Sequence, residues 1–138
     1  LDIQKKLQRT MVFITHDFLE AIKMGDHIAI MKDGEISQVG TPEEIVANPV
    51  DKYVKDFCED VPKYKVLSAG KVMRKECSDE SKKLFSDKTK CIDENAKIET
   101  LIDQICEDDT AYPIINAQSG ELVGEIDRTI VMKSMKSK

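Results

Sequence analysis

Four consecutive apolar residues, Met11, Val12, Phe13 and Ile14, run directly into Thr15-His16-Asp17. This run constrains the fold most. A stretch with no polar alternation reads as a strand covered on both faces, as in a parallel sheet flanked by helices, because an exposed face would alternate. It also delivers His16 to its carboxyl end, where open α/β sheets place ligands. Residues 1–8 read as the end of a helix leading into this strand, with Leu1, Ile3 and Leu7 as its apolar positions. Residues 17–24 read as the helix after it, with Phe18, Ala21 and Ile22 on one side and Gly25 placed to end it.

Local cues continue downstream. Two short strands, residues 27–31 and 35–39, flank Lys32-Asp33-Gly34, where Asp-Gly supplies the positive backbone angles of a tight hairpin. Thr41-Pro42-Glu43-Glu44 combines a capping hydroxyl, proline at the first helical position and glutamate three residues after the cap. The short helix it starts runs to about Ala47. A second helix follows Asn48-Pro49 over residues 51–57, with Tyr53, Val54 and Phe57 on one face.

The pattern breaks at Asp60-Val61-Pro62-Lys63, which marks a domain boundary between residues 1–61 and 62–138. In the second part, residues 68–73 read as a short helix and residues 75–90 as a loop or irregular helix. Asn95 is placed to cap a helix with Ile98, Leu101, Ile102 and Ile105 as its buried stripe. Residues 112–116 and 121–126 read as strands about the turn Ala117-Gln118-Ser119-Gly120, and residues 128–135 as a final helix. The fold class expected is α/β in the first part, followed by a small α+β unit in which two strands face two helices.

Composition narrows the functions available. With 41% hydrophobic and 34% charged residues the chain is ordinary globular material, and its apolar runs are too short to span a bilayer. It opens at Leu1 without a basic-then-apolar leader, so the start reads as a cut rather than a natural terminus. Residues 1–61 hold 7 basic against 12 acidic side chains and residues 62–138 hold 14 against 14, so neither half offers a basic nucleic-acid surface. Cys58, Cys77, Cys91 and Cys106 are separated by 19, 14 and 15 residues. That spacing fits no metal pattern, and reduced cytoplasmic thiols are the expectation. The terminal lysines Lys133, Lys136 and Lys138 are too few for strong attraction to anionic lipid.

Taken together, Thr15-His16-Asp17, Glu20-Ala21, the run from Gly25 to Gly34 and Gln38-Val39-Gly40-Thr41-Pro42 resemble the last third of an ABC-transporter ATPase domain from its switch histidine onward. The resemblance implies that His16 contacts the γ-phosphate of ATP and helps orient the attacking water. An imidazole suits that task, since it can donate a hydrogen bond to the charge that develops as the phosphoryl group transfers. It cannot act alone. The sequence holds neither a G-x-x-x-x-G-K-[ST] phosphate loop nor an apolar strand ending in the acids that hold Mg²⁺, so ATP and Mg²⁺ are expected cofactors of the intact parent, and this fragment is expected to be inactive. His27, where the family commonly has arginine, is assigned no role.

In the second part, Tyr112-Pro113-Ile114-Ile115-Asn116 and the run from Ser119 to Arg128 resemble the closing half of a cystathionine-β-synthase (CBS) domain. Residues 67–73 look like the opening of a first such repeat, shortened to a remnant. ABC ATPases carrying CBS domains are typical of glycine betaine, proline, carnitine and choline importers. The combination therefore implies a regulatory portion of the ATP-binding subunit of an osmolyte importer, peripheral to the inner face of the plasma membrane. Its implied partners are a membrane permease and a second ATPase subunit, with a homodimer through the CBS-like unit. CBS pairs often bind adenine nucleotides through a hydroxyl residue and an aspartate three positions later. Here Asp127 and Ile130 stand in those places, so the usual ribose clamp is missing. Tyr112, Ile126 and Arg128 remain as the candidate ligand-binding set, by stacking and phosphate pairing, for an adenine nucleotide or cyclic dinucleotide. Two readings stand beside the transporter one: a free-standing nucleotide sensor, and a structural CBS dimerisation module. No metal site is expected.

Overall fold

A computed structural model describes residues 10–136. The helix expected over residues 1–8 lies outside them. The chain divides into two compact units, Leu1–Val61 and Pro62–Lys138. The architecture is mixed α/β, with two small sheets and eight α-helices among the described residues.

In the first unit, α1 (Phe18–Met24) starts at Asp17, whose carboxylate accepts from the amides of Leu19 and Glu20, and it stops at Gly25. Strands β1 (Ile28–Lys32) and β2 (Glu35–Gly40) form an antiparallel pair. Asp33 and Gly34 make the turn with φ of 52° and 85°, the left-handed geometry that Asp-Gly tolerates best. A bulge falls between Ile30 and Met31. Helix α2 (Pro42–Ala47) begins in a complete capping box: the Glu44 amide donates to Thr41 Oγ1 and the Thr41 amide to Glu44 Oε2. Helix α3 (Lys52–Phe57) is capped by Asp51. The core gathers Ile28 and Ile30 from β1, Ile45 and Val46 from α2, and Val54 from α3. Phe18 meets Phe57 edge to face at 5.7 Å.

The run at residues 11–14 is not a strand. It pairs with nothing among the described residues, and Val12 and Ile14 are 89% and 92% exposed. The physical reason is that a strand exists only through its ladder: apolar composition alone leaves backbone groups that need partners, and this unit offers none here.

The second unit opens with two single-turn helices, α4 (Lys63–Val66) and α5 (Ala69–Val72). The segment expected to be loop or irregular helix holds α6 (Asp79–Leu84), capped by the Ser78 hydroxyl, and a 3-10 turn at Lys88–Lys90. The sheet has three strands where two were expected. Ile92–Asp93 (β3) runs parallel to Tyr112–Ile115 (β4), which pairs antiparallel with Leu122–Ile126 (β5). A two-residue strand leaves no periodicity to read. Helix α7 spans Ile98–Cys106 and buries Ile98, Leu101 and Ile105. Asn95 does not cap it. The cap position is Lys97, and the Asn95 amide instead donates to Asp93 Oδ1 in a turn. Helix α8 (Arg128–Met135) starts at Asp127, which accepts from the Ile130 amide.

Candidate functional site

The backbone around His16 is fixed from both sides. Thr15 Oγ1 donates to Glu20 Oε2 at 3.0 Å and accepts from the Asp17 amide at 3.0 Å, while Asp17 Oδ1 accepts from Leu19 at 2.8 Å and Glu20 at 3.2 Å. Asp17 is thus engaged as a helix cap. The His16 side chain is exposed and lines an open groove of about 460 Å³, with Phe18, Leu19, Phe57 and Val61 as apolar walls and Asp17, Asp56 and Asp60 as acidic neighbours. An imidazole held at a helix start can donate to an anion, but three carboxylates around one open groove repel a triphosphate. These residues do not fit ATP by themselves. Among the described residues no group of histidine, cysteine, aspartate or glutamate side chains is placed to hold a metal ion.

The CBS-like set lies in the second unit. Tyr112 and Ile126 are cross-strand partners, and Arg128 begins α8 two residues on. Ile126 is fully buried, so its side chain packs in the core of this unit. Tyr112 is half-buried, and burial followed by the charges of Asp108 and Glu107 pushes its hydroxyl above the ordinary tyrosine range. Hydrogen bonds from Thr110, first its amide and then its hydroxyl, hold Asp108 below the usual carboxylate range. Arg128 lies 3.9 Å from Asp109. The acidic residues 107–109 therefore bear on both side chains expected to meet a nucleotide, Tyr112 by stacking and Arg128 by phosphate pairing.

Sequence reading missed a different cluster. Glu125, 1% exposed, accepts from Arg74 Nη1 at 2.7 Å, from the Ser78 amide at 2.8 Å and from the Ser78 hydroxyl at 2.7 Å. Arg74 Nη2 also donates to Asp127 Oδ2 at 2.9 Å. Burial pushes Glu125 up, but the Ser78 and Arg74 donors outweigh it and hold the carboxyl below its ordinary value. The one available hint was a glutamate between Gly124 and Ile126 in an otherwise apolar strand.

Comparison with known proteins adds what the site cannot supply. The chain is 53% identical over 73 residues to the glycine betaine/carnitine transport ATP-binding protein GbuA of Listeria monocytogenes, which takes in 53% of this chain and 18% of that protein. Along all 138 residues it is 37% identical to the trimethylamine N-oxide transport system ATP-binding protein TmoW of Pelagibacter ubique, of which it covers 38%. The chain is a homologue of ABC-transporter ATP-binding proteins. Its relatives in that family are named for glycine betaine, carnitine, choline and trimethylamine N-oxide transport. ProV of Escherichia coli, a glycine betaine/proline betaine transport system ATP-binding protein, is 51% identical over 73 residues, again 18% of its length. The chain spans between about a seventh and two fifths of the ABC proteins it matches. No protein-family model matches it. No helix among the described residues is long and apolar enough to cross a membrane.

Proposed function

We propose that this chain is the carboxyl-terminal, regulatory portion of the ATP-binding subunit of an osmolyte importer of the glycine betaine type. Residues 1–61 are the end of the ATPase domain and residues 62–138 a CBS-like unit. The observation that carries the reading is the similarity to TmoW along the whole chain, across both units. In the longer protein His16 reaches the terminal phosphate of ATP, with the phosphate cradle and Mg²⁺ ligands supplied by other residues. The exposed imidazole, fixed at a helix start by Thr15 and Asp17, supports that role. The subunit works at the inner face of the plasma membrane against a permease and a second ATPase subunit.

The test is to join this chain to the preceding part of TmoW and measure ATP hydrolysis. His16→Ala should lower kcat at least about 10²-fold, the usual loss for one transition-state donor, with nucleotide binding retained. The isolated chain should show no turnover. Wild-type rates in the His16→Ala fusion, or hydrolysis by the chain alone, would refute the assignment.

A second reading for residues 62–138, a structural CBS dimerisation module rather than a nucleotide sensor, is favoured by the acidic loop against Tyr112 and Arg128 and by the burial of Ile126. Calorimetry with AMP, ATP and a cyclic dinucleotide decides between the two. Micromolar binding lost in Arg128→Ala supports a sensor, and absent heat together with concentration-dependent dimerisation supports the module.

A further inference from the structure

Two helices of the first unit begin differently. At α2 the glutamate three residues after the cap, Glu44, accepts directly from the amide of the cap residue Thr41 at 2.8 Å, as in an ordinary capping box. At α1 the glutamate in the same position is Glu20 and the cap is Asp17. Here a hydroxyl stands between them: the Asp17 amide donates to Thr15 Oγ1 at 3.0 Å, and Thr15 Oγ1 donates to Glu20 Oε2 at 3.0 Å. The box is thereby enlarged to reach back past the cap, and His16 is the residue it encloses.

The enlarged box has a mechanical effect. A threonine hydroxyl that accepts from the amide two residues on closes a tight turn around the residue between them. Its one proton goes to Glu20, which fixes the hydroxyl rotor, and a group that donates and accepts at once strengthens both bonds. Asp17 Oδ1 holds the other side by accepting from the Leu19 and Glu20 amides. The residues on both sides of His16 are thus tied to the start of α1, while the His16 side chain is exposed. If the Thr15 hydroxyl were removed, Glu20 could accept from the Asp17 amide as Glu44 does from Thr41. The helix would then keep its cap while the turn at His16 lost its tie.

Resting on the assignment of His16 to the terminal phosphate of ATP, we infer that Thr15 and Glu20 are positioning residues, whose hydrogen bond holds the turn that aims the His16 imidazole. Such a bond matters through placement, because a displacement of about 1 Å in a group that stabilises the transition state can cost about 10²-fold in rate.

The test uses the TmoW fusion. Thr15→Val keeps the shape of the side chain and removes the hydroxyl, and Glu20→Ala removes the acceptor. Each should lower kcat at least about tenfold, with KM for ATP within about twofold of wild type. The urea unfolding curve of the whole chain should not change in Thr15→Val. Conservative forms should recover most of the loss: Thr15→Ser restores the hydroxyl, and Glu20→Gln restores an acceptor without the negative charge that favours a helix start by itself. In the His16→Ala background neither Thr15→Val nor Glu20→Ala should lower kcat further, because the group they place is gone. Full kcat in Thr15→Val beside a slow His16→Ala overturns this inference and leaves the ATPase assignment standing. So does a loss that persists in the His16→Ala background, a loss that Thr15→Ser and Glu20→Gln fail to recover, or a fall in the urea midpoint of Thr15→Val, which would make the hydroxyl a support of the fold. Wild-type rates in His16→Ala overturn the assignment and this inference with it.

Discussion

Two isoleucines that look alike in the sequence should respond oppositely to truncation. Ile14 and Ile114 both sit in short apolar runs that read as buried strands. Ile114 lies in the middle strand, in register with Ile92 on one side and Gly124 on the other, and is fully buried. Ile14 is 92% exposed and belongs to no ladder among the described residues. Ile114→Ala removes buried methyl groups and leaves a cavity, for a loss of about 3 kcal/mol within the usual span of about 2–5. For a unit of this size each kcal/mol moves Tm by about 4–8 °C, so the midpoint should drop by at least about 12 °C. Ile14→Ala removes almost nothing from contact and should stay within about 0.5 kcal/mol. Urea unfolding of the whole chain, followed by circular dichroism and by tyrosine fluorescence in a protein without tryptophan, measures both. A loss above about 1.5 kcal/mol for Ile14→Ala, or below about 1 kcal/mol for Ile114→Ala, would refute the reasoning. The same Ile14→Ala change in the longer TmoW fusion should cost as much as a core substitution, because there the run is proposed to have its sheet neighbours.

Thr41→Ala removes one half of the capping box at the start of α2 and should cost about 1 kcal/mol, read as a shift in urea midpoint with an unchanged slope. Thr41→Ser should restore most of it. Glu125 gives a signed dependence on pH. Its folded-state value lies below the ordinary one near about 4.3, so its contribution to stability is complete above that value and is lost as pH falls through the lower, folded value. Glu125→Gln should flatten the acid limb of the stability curve, measured by urea unfolding at a series of pH values, and an unchanged acid limb would show that the carboxylate is not held as described.

What the sequence disclosed is what neighbouring residues decide among themselves. The Asp33-Gly34 turn, the Thr41 box and the Asp17 start need nothing beyond a few residues of chain, and each stands where its chemistry put it. The stripe of α7 is legible for the same reason: a repeat of three and four residues describes one helix face wherever the helix lies. Residues 11–14 failed because a strand is a relation between segments, and composition gives only one side of it. Glu125 failed for a related cause. Its partners, Arg74 and Ser78, stand 51 and 47 residues away, and no local pattern announces that a glutamate will be buried.

The two candidate sites fail to explain themselves in complementary ways, and this bears on how the chain is used. His16 presents an exposed imidazole on a well-fixed turn, but its surroundings are acidic and cannot hold the phosphate it suits. Tyr112 pairs with Ile126, two residues before Arg128, but the charges of Asp108 and Glu107 bear on its hydroxyl and Asp109 lies 3.9 Å from Arg128. In each case the missing ingredient is positive charge. For His16, a longer ABC protein would provide it, and the TmoW fusion tests whether it does. For Tyr112 and Arg128 the acids belong to the same unit, so lengthening the chain does not remove them. If Asp108→Asn with Asp109→Asn creates nucleotide binding where the wild type has none, the acidic loop is what closed the site. If binding stays absent in that double variant, the pocket itself is gone and the structural reading of residues 62–138 gains further ground.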